Sequence, residues 1–322
     1  MIQYLTHQAI DKNRWNECIR LSLNRRVYAF SWYLDLVCPG WEALAEEDYS
    51  AVFPLTGNRK WGISYLYQPF FTQQLGLFSV HPVTGSQLGD FLRAIPSKFR
   101  FAEIQLNGLN SFETAPWIPE KRVNHEMDIS RPYTEISAGF SQNTRRNVRR
   151  SKEQNLAICR TTTAAELTGM FRDNYGKKEG KLRESHYLVI ADLIGYCLEH
   201  DLGCILGAGN PDGKPDAAAF FLFDEAHVYF LFAASTADAR ENGAMFLLID
   251  HFLAENAGKY GILDFEGGND PNLGRFYKGF GAGEICYPSV SLNRLPKLAA
   301  RFLYFARKIR QEGKNAIFVN VT

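Results

Sequence analysis

The chain has 322 residues, enough for two domains with hydrophobic cores, and its 46% hydrophobic and 22% charged residues are typical of a globular protein. The formal net charge of +1 argues against general nucleic-acid binding through a basic surface. The start of the chain has no signal-peptide pattern and no apolar run reaches membrane-spanning length, so the expected location is the cytoplasm.

The six cysteines and seven histidines are scattered along the chain. There is no C-x-x-C pair, no H-E-x-x-H and no other zinc-ligand spacing. A G-x-S-x-G turn, a P-loop and a dinucleotide-binding glycine pattern are also missing from the sequence. We therefore expect reduced, mostly buried cysteines and no dedicated metal, serine-hydrolase or dinucleotide site.

The first part of the chain predicts a domain over residues 1–132 that ends near Ser130-Arg131-Pro132. Apolar spacing and turn residues there predict helices over 11–23, 31–37 and 86–95, strands over 51–55, 62–67 and 102–106, and a short extended segment over 123–129. The remaining residues, 133–322, form the second predicted domain, which includes a C-terminal helix.

The second domain begins with a basic helix, SQNTRRNVRRSKEQN, that Ser141 can cap, and Thr163 with Glu166 forms a capping box for the next helix. A long helix over 186–199 is followed by strands over 204–208, 217–223 and 228–234, a loop over 235–240 and a helix over 241–256. This order predicts a mixed α/β (α+β) sheet, and neither a doubly wound nor an all-β fold.

Residues 262–285 read ILDFEGGNDPNLGRFYKGFGAGEI and predict a buried strand, a glycine turn, a short helix capped by Asp270 or Asn272, and a second strand. The first strand carries Glu266 into the turn, and the helix presents Tyr277 and Lys278. Proteins with α/β folds build sites at strand ends in this way. A plain β-α-β unit, with turn glycines and core aromatic residues, fits the same pattern.

The two halves of the sequence resemble each other at one place. The segment LDFEGGN at 263–269 aligns with IQLNGLN at 104–110, and both follow a predicted helix and end in G-x-N. We therefore predict a tandem duplication whose first copy has lost the residues that could carry chemistry.

Three stretches together resemble the GNAT acyltransferase fold, and more narrowly its FemAB-like branch, in which two such domains stand in tandem. They read NTRRNVRRSKEQN, AASTADARENGAMFLL and DFEGGNDPNLGRFYKGFGA. The resemblance covers the second half well and the first half by length and element order. It implies two tandem GNAT-like domains, of which the N-terminal one is degenerate and on the acceptor side, while the C-terminal one holds the acyl donor.

The expected donor-binding residues are Arg240, Asn242, Gly243 and Ala244. They lie where a loop opens a helix, so backbone N–H groups and the helix dipole can hold an anion. In GNAT enzymes this loop, Q/R-x-x-G-x-G/A, binds the pyrophosphate of acyl-coenzyme A, so the resemblance implies acyl-coenzyme A as co-substrate. Met245 departs from the small residue expected at the last position. An ordinary helix N-terminus explains the same residues.

The resemblance also implies catalytic roles. Tyr277 belongs to an FY-x-x-x-G motif and would protonate the departing thiolate, while Lys278 would stabilise an oxyanion or bind a phosphate. Glu266 is the candidate base for an amine, and strand alternation turns Asp264 to the other face. A core tyrosine, a solvated lysine and a helix-capping carboxylate are the structural alternatives.

The basic helix carries the candidate substrate-binding residues Arg145, Arg146 and Arg149, because guanidinium groups suit phosphate or carboxylate. A charged helix face exposed to solvent is the alternative. Some FemAB-like proteins use a long helical arm on transfer RNA, and the loop GKKEGKLRES at 176–185 is too short for one.

The predicted function is transfer of an acyl group, first of all acetyl, from acyl-coenzyme A to a small-molecule or peptide amine bound between the domains. One alternative is aminoacyl transfer from charged transfer RNA to a peptidoglycan precursor, which the basic helix and Lys278 favour. Another is an inactive ligand-binding module, which Met245 favours. The acceptor, the acyl chain and the oligomeric state cannot be read from the sequence.

Overall fold

The computed structural model describes residues 1–110, 118–173, 182–211 and 213–295. Two units divide these residues: 1–110, 118–122 and 286–295 form the first, and those from 123 to 285 form the second. The chain thus changes units between Arg122 and Val123, whereas the sequence analysis expected a boundary after residue 132. The expected C-terminal helix and most of the loop at 176–185 lie outside the described residues.

Among its described residues, the first unit contains strands of two sheets and three α-helices. Its elements are β1 (Ile2–Leu5), α1 (Lys12–Leu21), α2 (Ser31–Val37), β2 (Glu42–Glu46), β3 (Ala51–Leu55), β4 (Gly57–Lys60), β5 (Ile63–Leu66), β6 (Phe78–Ser79), α3 (Gly85–Ala94) and β7 (Phe99–Gln105). One sheet has the order β1-β2-β3-β6, and in the other β4-β5-β7 pairs with residues 289–293. The predicted helical spacing buries Leu88, Phe91 and Leu92 of α3 in this core.

Within the described residues, six strands of the second unit are neighbours in a sheet, in the order β8-β13-β12-β11-β10-β9. Its elements are β8 (Ile118–Asp128, from Val123 onward), α4 (Tyr133–Ala138), α5 (Gln142–Glu153), β9 (Ala157–Cys159), α6 (Ala164–Phe171), α7 (Glu184–Glu199), β10 (Gly203–Gly209), β11 (Ala217–Phe223), β12 (His227–Ser235), α8 (Ala237–Asn242), α9 (Ala244–Asn256), β13 (Ile262–Asp264), α10 (Pro271–Gly279) and the start of β14 (Gly283–Asn293). Strands β12 and β13 are parallel, and the other neighbours in this order are antiparallel. The expected mixed α/β fold is confirmed.

The predicted helix caps are present. The Thr144 N–H donates to the Ser141 hydroxyl oxygen at 3.1 Å and starts the basic helix α5. The capping box of α6 joins the Glu166 N–H to Thr163 Oγ1 and the Thr163 N–H to Glu166 Oε2. At the start of α10, Asp270 Oδ1 accepts from two backbone N–H groups. Each cap satisfies backbone donors that have no partner inside the helix.

The segment between β12 and α9 differs from the prediction. Residues 237–242, expected to be mostly loop, form α8, and the helical path breaks at Gly243 before α9 begins. Gly243 has φ +80°, a left-handed conformation that glycine adopts without steric cost. The Thr236 hydroxyl accepts from the Ala239 N–H and caps α8, a signal present in the sequence that the analysis did not use.

Each unit contains a parallel crossover. In the first, β5 and β7 are parallel with α3 between them, and in the second β12 and β13 are parallel with α9 between them. The aligned segments at 104–110 and 263–269 both continue from the second strand of that crossover. Each unit therefore has the β-α-β core that the predicted duplication requires. Within the described residues, none of the helices has the length and apolar composition needed to cross a bilayer.

Candidate functional site

The parallel ladder of the second unit ends early, and aromatic side chains gather at its end. Strand β13 pairs with β12 as far as Tyr229 and Asp264, although β12 continues to Ser235. The Tyr277 ring stacks on Phe265 with centroids 4.6 Å apart, and the Phe230 ring lies 5.9 Å from that of Phe265. The structure thus brings Tyr277 to the end of the strand that precedes Glu266, and it buries the tyrosine ring there.

Glu266 occupies a strained turn. Its φ of +60° places a residue other than glycine in the left-handed region, which costs about 1 kcal/mol. The Glu266 N–H donates to Asp264 Oδ1 at 2.8 Å, and the Asn124 side-chain amide donates to the same oxygen at 2.9 Å. Asp264 is fully buried. Its carboxylate, which was expected on the opposite face of the strand from Glu266, therefore holds the turn through these two hydrogen bonds. The Glu266 side chain is itself buried.

A histidine that the sequence analysis did not select completes this cluster. His125 lies on β8 opposite the end of β13, where the Phe265 N–H donates to its backbone carbonyl. The imidazole Nδ1 is 3.0 Å from the carbonyl oxygen of Gly267, and the ring centroid lies 5.9 Å from that of Tyr277. His125 thus contacts both the turn that contains Glu266 and the helix that contains Tyr277.

In the first unit, the turn that aligns with the Glu266 turn is held by hydrogen bonds between side-chain amides and the backbone. Asn107, which aligns with Glu266, and Asn110 are each 1% exposed and donate through their side-chain amides to the backbone carbonyl of Leu77. The Leu77 N–H donates in return to Asn110 Oδ1 at 2.8 Å. At the position where the second unit has the Glu266 carboxylate, the first unit therefore has the Asn107 amide, which is bonded to the backbone.

Lys278 lies apart from Tyr277 although the two residues are adjacent in α10. Its ammonium group forms an ion pair with Glu284 Oε2 at 2.7 Å, and 51% of its side chain is exposed. Successive residues of a helix point in directions about 100° apart, so a buried Tyr277 turns Lys278 outward. The structure does not bring these two predicted catalytic residues together.

In the expected donor loop Gly243 and Ala244 are buried, Asn242 is half-buried, and the Asn242 side chain caps the start of α9. Asn242 Oδ1 accepts from the Ala244 N–H at 2.9 Å, and the Asn242 amide donates to Asp216 Oδ2 at 2.8 Å. A Cβ on Gly243 would lie 2.9 Å from the carbonyl oxygen of Asn147 on α5. The side chain of Arg240 is outside the described part of the structure. One of the predicted anion-binding N–H groups is therefore already bonded to Asn242.

The three predicted substrate-binding arginines lie together on the exposed side of α5. With Gln142 and Asn143, they line an open depression of about 480 Å³. Arg145 donates to the Ala138 carbonyl at 2.6 Å, Arg146 donates to Asn143 Oδ1 at 2.8 Å, and Arg149 forms a 3.5 Å ion pair with Glu153. The Arg149 side chain is 75% exposed, so its guanidinium is accessible to a ligand.

A buried carboxylate anchors this basic helix. Asp250 of α9 accepts from the Tyr133 hydroxyl at 2.5 Å and from the Lys152 ammonium at 3.1 Å. Burial, and then the hydrogen bond to Asp250, raise the pKa of the Tyr133 hydroxyl well above its usual value. Lys152 therefore fixes α5 against α9, while the three arginines face the depression.

The described residues contain no group of histidine, cysteine, aspartate and glutamate side chains suited to a metal ion. The chemistry available at the end of the β12–β13 ladder is that of a carboxylate, a phenol and an imidazole in a mostly apolar setting. Such a set can accept a proton from one group and donate a proton to another.

No protein-family model matches the chain, and no curated protein matches it. Solved structures do. FemX is 13% identical with a TM-score of 0.64, covering 94% of this chain and 99% of its own. A conserved protein of unknown function from Bacteroides thetaiotaomicron is 10% identical with a TM-score of 0.58, covering 90% and 99%. L-PGS from Bacillus licheniformis is 12% identical with a TM-score of 0.52, covering 92% and 96%. The chain therefore has the fold of FemX, which agrees with the fold expected from its sequence.

Proposed function

We propose that the chain is an acyltransferase that moves an acyl group from a thioester to an amine at the end of the β12–β13 ladder. The observation that carries the proposal is that the His125 imidazole contacts both the carbonyl of Gly267, the residue after Glu266, and the Tyr277 ring, at the point where the parallel ladder stops. The fold shared with FemX and L-PGS supports an enzyme over a passive binding module.

Glu266 and Tyr277 can together move the protons that acyl transfer from a thioester to an amine requires. The Glu266 carboxylate takes a proton from the acceptor amine, and the amine nitrogen then forms a bond to the thioester carbonyl carbon. Backbone N–H groups of β12 beyond its ladder with β13 would stabilise the resulting oxyanion. Collapse of the intermediate breaks the C–S bond, and the Tyr277 hydroxyl donates its proton to the leaving sulfur. The proton held by Glu266 returns to Tyr277 through solvent.

For the donor we propose acetyl-coenzyme A, with its phosphates in the depression of Arg145, Arg146 and Arg149. Guanidinium groups bind phosphate oxygens through paired N–H donors, and a helix N-terminus adds positive potential. The Ala244 N–H is bonded to Asn242, so the arginine depression is the better candidate for the phosphates than the Gly243 loop. The acceptor is a primary amine of a small molecule or peptide.

Tyr277→Phe is expected to lower turnover about 100-fold and to leave acetyl-coenzyme A affinity within about twofold, since only the proton donor is removed. The ring, its stacking on Phe265 and its burial stay the same. The measurements are chromatographic release of free coenzyme A with a panel of primary amines, and calorimetric titration with acetyl-coenzyme A. Equal losses in turnover and affinity would contradict the role of Tyr277 as the acid. Binding without turnover in the wild type would favour the inactive module.

The exposed arginines also favour a second candidate, transfer from aminoacyl-tRNA. Arg145→Glu with Arg149→Glu is expected to weaken donor binding about tenfold or more, because each guanidinium–phosphate contact becomes a repulsion. If the donor is charged transfer RNA, its salt dependence should also fall by about one unit of slope per lost phosphate contact. Titrations with acetyl-coenzyme A and with charged transfer RNA at several salt concentrations separate the two donors. Arg93→Glu, which reverses the charge of an exposed side chain on α3 in the first unit, is the matched control.

A further inference from the structure

His125 is built into the turn that carries Glu266. Only 1% of its surface is exposed, and its Nδ1 lies 3.0 Å from the Gly267 carbonyl oxygen. A carbonyl oxygen can only accept a hydrogen bond, so Nδ1 carries the proton and donates it. In the neutral ring this leaves the lone pair on Nε2, which has no hydrogen-bond partner among the described residues.

Two glycines make room for this imidazole. A Cβ on Gly268 would lie 2.1 Å from Nδ1, and a Cβ on Gly274 would lie 3.1 Å from Cε1. The first glycine belongs to the turn and the second to α10, three residues before Tyr277. The ring is therefore held between the turn and the helix, with a fixed orientation toward both.

We infer that His125 is a positioning residue that holds the Glu266 carboxylate in its place for the proposed reaction. The Glu266 backbone is in the left-handed conformation, and two hydrogen bonds oppose its relaxation to a conformation with negative φ. One comes from its own N–H to Asp264 Oδ1, and the other joins His125 Nδ1 to the Gly267 carbonyl, in the peptide between Gly267 and Gly268. Losing the second bond frees the peptide between Gly267 and Gly268, so the turn that begins at Glu266 can relax and the direction of the carboxylate changes with it.

This inference rests on the proposed function for its kinetic consequences, but the hydrogen bond itself can be tested separately. Asparagine places an amide N–H close to the position of Nδ1, whereas glutamine places its amide close to Nε2. His125→Asn therefore keeps the donor to Gly267 and removes the Nε2 lone pair. His125→Gln removes the donor to Gly267 and keeps a polar group near the position of Nε2, so the two variants form a matched pair.

In the acetyl-coenzyme A assay with primary amines, His125→Gln is expected to lower turnover about 30-fold with the donor KM within about twofold. His125→Asn should stay within about fivefold of the wild type. A role through Glu266 also predicts strong non-additivity. In a Glu266→Gln background, His125→Gln should cost less than about threefold further, because the carboxylate that it positions is already gone. A residue that only supports the fold would give the full loss in both backgrounds.

Three results would overturn the inference: His125→Gln more active than His125→Asn, additive losses in the double variant, or an Nε2-protonated ring. Nitrogen-15 spectra of the labelled wild type report which ring nitrogen carries the proton, whether or not any donor turns over. If no thioester reacts with the wild type, the proposed function fails. The proton on Nδ1 and a higher melting temperature for His125→Asn than for His125→Gln would then still support the positioning role, and the reverse order would reject it.

Discussion

Gly268→Ala is expected to lower the free energy of unfolding of the second unit by about 3 kcal/mol or more, through backbone strain and a clash that cannot relax. Gly268 has φ +148°, a conformation that residues with a Cβ rarely adopt. The new methyl group would lie 2.1 Å from Nδ1 and 2.4 Å from Cε1 of the His125 ring. That ring is buried and cannot move aside without breaking its hydrogen bond to Gly267. Urea unfolding followed by circular dichroism measures the loss.

Gly195→Ala is the matched control, since the same methyl group is added inside helix α7 and meets nothing within 4 Å. There the substitution should stabilise the protein by about 0.5–1 kcal/mol, because alanine is the better helix former. Adding His125→Ala to Gly268→Ala should recover part of the loss by removing the clash, which a double-mutant cycle detects. Hydrogen exchange of peptides from residues 262–279 locates the effect. A loss below about 1 kcal/mol would show that the turn tolerates a side chain.

Several elements could be predicted because their signals are local. The capping box of Thr163 and Glu166 and the cap at Asp270 depend on residues within one helical turn, and both form as expected. The fold followed from the order of such elements together with three motifs. Short strands such as β1 and β2 were missed, since their positions depend on partners elsewhere in the first unit and their own sequences carry little periodicity.

The arrangement of the candidate site needed the structure. His125 is about 140 positions from Gly267 in the sequence, and nothing in VNHEMDI distinguishes it from a strand residue that fills a core. Its one indirect signal is the pair of glycines, Gly268 and Gly274, that leave space for a ring. A motif also cannot tell an outward lysine from an inward one, and burial of Tyr277 decided the direction of Lys278.

At the donor loop the local structure was predicted, but the hydrogen bonding of its N–H groups was not. The pattern at Asn242, Gly243 and Ala244 predicted free N–H groups at a helix start, and a helix does start there. The sequence could not reveal that the Asn242 side chain takes one of those N–H groups, or that α5 packs over Gly243. Both depend on side-chain direction and on an element about 90 residues earlier. The donor assignment consequently moves toward the arginines of α5 and stays a proposal.

Glu266→Gln is expected to lower turnover about 100- to 1,000-fold at pH 7, with acetyl-coenzyme A affinity unchanged within about twofold. Glutamine has nearly the volume of glutamate and keeps the backbone N–H that donates to Asp264, so the turn should persist. What is lost is the group that takes the proton from the acceptor. Glu135→Gln, an exposed carboxylate in the first turn of α4, is the matched control and should have no effect.

The pH dependence separates loss of a base from loss of structure. An alkyl amine has a pKa near 10, so at pH 7 only about one molecule in 1,000 reaches the site without its extra proton. The wild type can use the protonated majority because Glu266 removes the proton, whereas the glutamine variant can use only the free amine. That fraction rises about tenfold with each pH unit below the amine pKa, so the defect of Glu266→Gln should shrink about tenfold per unit between pH 7 and pH 9. A defect that stays constant over this range would mean that Glu266 supports the turn and is not the base.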